Sequence, residues 1–137
     1  MEVLSGGDFH RVCKSGDKES VDGHVAADGS IDVRTDHGET GLMGAAEKGH
    51  TDLVEHLVSQ GADVNATNAG GRTALHLAAT NGRVGCVRVL LGANADISIE
   101  NNKGQTALRG AELFHKTEVV ELLRQHAAAA EETTQDG

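Results

Sequence analysis

The pattern Gly-x-Thr-x-Leu occurs three times in this chain at a fixed step of 33 residues, at Gly38–Leu42, Gly71–Leu75 and Gly104–Leu108. An alanine follows three residues after each leucine, at Ala45, Ala78 and Ala111. The same step links Val54, Val87 and Val120, then Leu57, Leu90 and Leu123, and also Ile31, Val64 and Ile97. A unit this short is one supersecondary piece that cannot cover its apolar side alone. It does so only by lying against the next copy. The repeat therefore predicts a stacked solenoid and argues against a globule built round one centre.

The supply of core residues agrees. Phe9 and Phe114 are the only aromatic residues in 137, and Pro, Trp and Tyr are absent. Thin layers of Leu, Val and Ala suffice for a solenoid, whereas a compact core would lack bulk. Within each unit Thr40, Thr73 or Thr106 precedes a short helical stretch and can cap its free N–H groups. Gly49 and Gly82 stand where the first two of these helices end in a left-handed residue. A second helix carries adjacent apolar pairs one turn apart, Leu53-Val54 with Leu57-Val58 and Cys86-Val87 with Leu90-Leu91. Gly70-Gly71 and Asn102-Lys103-Gly104 then mark the tips of tight, hairpin-like turns.

This unit resembles the ankyrin repeat. Thr73-Ala74-Leu75-His76-Leu77-Ala78 matches the signature T-P-L-H-x-A except at Ala74. Gly49-His50, Gly61-Ala62-Asp63-Val64-Asn65-Ala66 and Leu90-Leu91 are also typical of that family. The resemblance covers about residues 3 to 126. It implies an all-α solenoid of antiparallel helix pairs with hairpin loops projecting from one edge. The expected domain is 1–128, in units of about 3–34, 35–67, 68–100 and 101–128, and 129–137 is expected to be an acidic, disordered tail. The outer two units are expected to be capping ones, with Phe9 and Val21 at the leucine and valine positions of the first.

Departures from the family pattern carry their own expectations. Gly41, Ala74 and Ala107 replace the usual proline, and Gly41 in particular should weaken its helix start by about 0.5–1 kcal/mol relative to alanine. Met43 and Arg109 replace the signature histidine, so the Thr–His hydrogen bond familiar in this fold is expected at Thr73 and His76 alone. His115 takes the place of Gly82, which predicts an irregular last turn. His24 shares the register of Leu57 and Leu90. Either the first unit is open there, or a titratable ring beside the core makes it pH-sensitive.

The residues offer little to chemistry. Eight histidines include no H-x-x-x-H pair, and no C-x-x-C occurs, so no metal site is expected. His50 and His76 are instead framework positions bonding local backbone. Asp28-Gly29-Ser30-Ile31-Asp32 resembles the middle of a calcium loop, but Thr35 stands where the bidentate glutamate belongs. No nucleophile–base signature and no phosphate-cradling glycine loop appears, and Gly6-Gly7 and Gly70-Gly71 are assigned to turns. Neither catalysis nor a cofactor is expected. Cys13 and Cys86 fall at small apolar positions and should be buried thiols, which suits a cytoplasmic or nuclear setting. The start of the chain lacks the pattern of a signal peptide, and no apolar run spans a membrane.

Charge narrows the partner. The net charge is −9, with −8 in residues 1–66, +2 in 67–126 and −3 in the remainder. Nucleic acid is bound by clustered Lys and Arg, so an acidic first half argues against it. Stacking leaves the hairpin tips and the outer side of the shorter helices free, and these line a concave face. Register and resemblance assign to that face Arg34, Asp36, His37, Glu39, Glu47 and Lys48 in the first full unit. Thr67, Ala69, Arg72, Thr80 and Asn81 follow in the next, then Glu100, Asn102, Lys103, Gln105, Leu113 and Phe114. Phe114 is the expected anchor, and adjacent Leu113 and Phe114 cannot both face the core, so one should be exposed. The expected function is protein binding by a free monomer, as an adaptor or a stoichiometric inhibitor, with a partner presenting basic residues to the first two units. The alternative is a structural subunit docked permanently in a larger assembly.

Overall fold

The computed structural model describes residues 2–135, and their side chains over 2–129. Eight helices follow in order: α1 Gly6–Lys14, α2 Lys18–Ala26, α3 Gly41–Lys48, α4 Thr51–Ser59, α5 Ala74–Thr80, α6 Val84–Gly92, α7 Ala107–Leu113 and α8 Thr117–Gln135. No strand occurs among the described residues. The helices pair in sequence, and α1, α3, α5 and α7 pack side by side as one layer. A second layer runs from α4 through α6 to α8, and α2 reaches α4 through Asp22 and His56, 2.6 Å apart.

Local chemistry sets the boundaries. Thr40, Thr73 and Thr106 have extended backbones, and each hydroxyl accepts from the N–H three residues on, at Met43, His76 and Arg109. The unit then turns through left-handed residues at three recurring positions. The short helices are followed by Gly16, Gly49, Gly82 and His115, the long ones by Asp28, Gly61 and Asn94, and the loop tips contain Gly38, Gly71 and Gly104. His115 does not disturb its turn. It adopts φ +57°, close to the +68° of Gly82, against the steric preference of a side chain. His115→Gly is therefore expected to raise the unfolding free energy by about 1 kcal/mol, read from urea denaturation. No change, or a loss, would show that the exposed imidazole makes a compensating contact.

The loops between units share one design. Thr35, Asn68 and Asn101 each donate a backbone N–H to the carbonyl four residues on, at Glu39, Arg72 and Gln105, over 2.8–3.0 Å. The side-chain oxygens of the same three residues accept from backbone N–H groups across the tip. Neighbouring tips are laced together, with Ala69 N–H donating to His37 O and Asn102 N–H to Gly70 O, both at 2.9 Å.

Between the layers Leu57, Leu90 and Leu123 are at most 1 % exposed, as are Val54, Val87 and Val119. Burying each leucine contributes about 2–3 kcal/mol before the loss of chain entropy. Cys13 and Cys86 are both free and buried. Burial pushes the Cys13 thiol up to about 12 and raises that of Cys86, so neither is a thiolate at neutral pH.

Several expectations need correction. The first unit is not open at His24, which is 1 % exposed and stacked on Phe9 with ring centroids 4.4 Å apart. Gly41 does not weaken an otherwise neutral position: a Cβ there would lie 2.6 Å from Cys13 Sγ and 2.8 Å from Phe9 Cε1. Close approach of α3 to α1 requires glycine, and it excludes alanine and proline alike. Gly6 and Gly7 do not form a turn but open α1, whose cap is Ser5. Lastly, α8 continues to Gln135, through most of the stretch expected as a disordered tail. Asp136 and Gly137 lie outside the described residues.

Candidate partner-binding face

The exposed edge of the α1–α3–α5–α7 layer meets the loop tips along one side of the stack. Six of the predicted face residues, Arg72, Thr80, Asn102, Lys103, Gln105 and Phe114, line a single cleft of about 310 Å³ between the third and fourth units. Arg34, Asp36 and His37 line a second hollow of about 410 Å³ beside the start of α1. Glu39 faces α1, where its Oε2 lies 2.8 Å from His10 Nε2. Lys48, Thr67, Ala69, Asn81, Glu100 and Leu113 are exposed, and Glu47 is half-exposed.

Some face residues also hold the framework. Arg34 Nη1 donates to Thr67 O at 2.7 Å, and Asn102 Nδ2 to Ala69 O at 2.8 Å, each joining adjacent tips. Ala69 offers only its methyl group and backbone. Leu113 and Phe114 are both exposed, at 45 and 61 %, where exposure of one was expected. Phe114 is the C-cap of the seven-residue α7 and Leu113 its last residue, so both stand at the exposed end of the helix.

Two histidines have framework roles that reach across units. His76 Nδ1 accepts from Thr73 N–H at 3.1 Å, and Nε2–H donates to Gln105 O at 3.0 Å, tying α5 to the next loop. In the equivalent place Met43 Sδ lies 3.5 Å from Thr40 N, so the thioether substitutes weakly for the ring. His50 Nε2 donates to Lys14 O at 2.7 Å, a carbonyl of the preceding unit and not the local backbone expected.

His10 was not anticipated, although its register with Met43, His76 and Arg109 points to it. Its Nε2 is buried close to Glu39 but misaligned for a hydrogen bond. Burial is the main reason that its pKa lies below the ordinary histidine value, with Lys14 adding to this and Glu39 and Glu47 opposing it. Burial likewise lowers His76, with Arg72 adding and the bond to Gln105 opposing. As pH falls below the ordinary value of 6.5, the unfolded chain binds more protons at these rings than the folded one. Their contribution to stability is full above 6.5 and declines below it. His10→Gln should therefore shrink the loss of unfolding free energy between about pH 7 and pH 5. An unchanged or steeper loss would mean that His10 is not held neutral.

No group of three or more His, Cys, Asp or Glu side chains among the described residues could hold a metal ion. No helix there is long and apolar enough to cross a membrane. Four helix pairs in two layers, with a row of loop tips along one edge, define a helical repeat scaffold. A family model described as ankyrin repeats, in three copies, matches residues 9–101 and 42–136. The chain belongs to the ankyrin-repeat family, whose members are generally protein–protein interaction modules. No individual curated protein matches it.

Proposed function

We propose that this protein holds another protein against its concave face and loop tips, as an adaptor or a stoichiometric inhibitor. One contrast carries the reading: Leu57, Leu90 and Leu123 recur and are buried, while the face positions differ from unit to unit and stay wholly or partly exposed. Four helix pairs about 8–10 Å apart make a face about 30–40 Å long. That length accommodates the roughly 800 Å² per partner of an ordinary specific interface. The acidic first half favours a partner with basic residues over the first two units, so binding should weaken with salt.

Affinity capture with mass spectrometry tests this. The wild type is compared with a variant carrying Asp36→Asn, Glu47→Gln, Lys48→Gln, Arg72→Gln and Lys103→Gln. All five side chains are exposed or half-exposed, so helix content by circular dichroism should be unchanged. A partner captured by the wild type and lost by the variant supports the concave face. A partner retained by both, at fixed stoichiometry through high salt, would instead indicate a subunit docked through the flanks of the stack.

A further inference from the structure

The cleft between the third and fourth units differs in charge from the rest of the face. Arg72 and Lys103 line it, and none of its lining residues is acidic. His76 adds no charge at neutral pH, since burial keeps its ring unprotonated. Arg72 is held in place: its Nη2 donates to Thr80 Oγ1 at 3.1 Å, and that hydroxyl in turn donates to His76 O at 3.0 Å. No carboxylate among the described residues pairs with Arg72 or Lys103. A half-buried guanidinium with its remaining donors free is a ready partner for a planar carboxylate.

The apolar part of the cleft comes from Gly110 of α7 and from Phe114, which caps that helix. Phe114 leaves most of its ring uncovered, and aromatic residues of that kind concentrate binding energy when a partner covers them. Gly110 stands in the register of Leu77, and a Cβ on it would come 2.7 Å from Thr80 Cγ2. The missing side chain is what keeps the cleft open. Its volume of about 310 Å³ is at the lower end for a small-molecule pocket, and two side chains would fill it.

We infer that this cleft receives an acidic side chain with a bulky apolar neighbour, both on one exposed segment of the partner protein, the carboxylate on Arg72 and the apolar group against Phe114 and Gly110. The inference rests on the concave-face reading. It also gives the bound partner a direction, with basic residues over the first two units and the acidic–apolar pair over the last two.

Selection of a phage-displayed random-peptide library on the immobilised protein tests it. Enriched peptides should carry Asp or Glu within a few residues of Phe, Leu or Trp. In fluorescence anisotropy, a synthetic copy of the best peptide should bind Arg72→Gln and Phe114→Ala at least about tenfold more weakly than wild type. Both variants should keep wild-type helix content, and Asp36→Asn should bind normally. Basic peptides, no enriched peptides, or peptides indifferent to Arg72→Gln and Phe114→Ala would overturn the inference. If such indifferent peptides are lost on Asp36→Asn and Glu47→Gln, the concave face still binds and only the cleft assignment falls. If they are insensitive to all four changes, the concave-face reading fails as well.

Discussion

Leu90→Ala is expected to lower the unfolding free energy by about 3–4 kcal/mol, a large share of what a domain of this size possesses. Leu90 is fully buried in α6, and α6 packs against α5, α4 and α8. Removing its isobutyl group loses the transfer free energy and leaves a cavity at the junction of three neighbours. Because units in a solenoid touch only the next ones, weakening the third also uncouples the fourth from the first two. Leu123→Ala removes an equally buried side chain, but from a terminal unit with a neighbour on one side only. Its expected cost is smaller, about 2 kcal/mol. Urea denaturation followed by circular dichroism measures both. Equal losses, or a loss under about 1 kcal/mol for Leu90→Ala, would contradict nearest-neighbour stacking as the source of stability.

His24→Ala is expected to cost about 3 kcal/mol, although the register places leucine at the three equivalent positions. The ring is sandwiched by its partners. One face stacks on Phe9 at an interplanar angle of 23°, and a Cβ added to Gly29 would run into the ring. Nδ1 accepts from Leu4 N–H at 2.9 Å, and Nε2 lies 2.8 Å from Ser30 O. A backbone N–H must donate and a carbonyl must accept, so the ring proton sits on Nε2. His24 thereby pins the segment before α1 and the loop after α2 to the first helix pair. Alanine would lose the stack and leave both backbone groups unpaired. Leucine would restore bulk but neither bond, and should cost about 1–2 kcal/mol. If His24→Leu were as stable as wild type, the two hydrogen bonds would contribute nothing and the site would be ordinary core.

These two positions show what register reveals and what it hides. That 24, 57, 90 and 123 are equivalent is written in the spacing, and all four are buried. Leucine at three of them makes histidine at the fourth look like an opening in the stack. The partners that close it, Leu4 and Ser30, lie outside the helices and outside the repeat pattern. Gly41 is a similar case. Intrinsic propensity makes glycine a poor first residue for a helix, but Phe9 and Cys13 of the preceding unit occupy the space a Cβ would need.

The candidate face divides in the same way. Its members could be assigned from register, because the tips and the exposed side of the short helices occupy fixed positions in each unit. Which of them share a cleft could not, since Arg72, Lys103 and Phe114 come from different elements. Gly110 drew no attention, because its importance lies in a side chain it lacks opposite Thr80.

The sequence by itself determined the 33-residue step, the threonine caps, the left-handed turns at Gly49 and Gly82 and the leucines between the layers. Each depends on hydrogen bonds and apolar spacing contained within one unit, and copying the unit copies the result. Only the tertiary structure decided the burial of His24, the need for Gly41 and the shape and charge of the cleft beside Phe114. Those arise where side chains of one unit meet those of the next, and distances across that gap are set by packing between units.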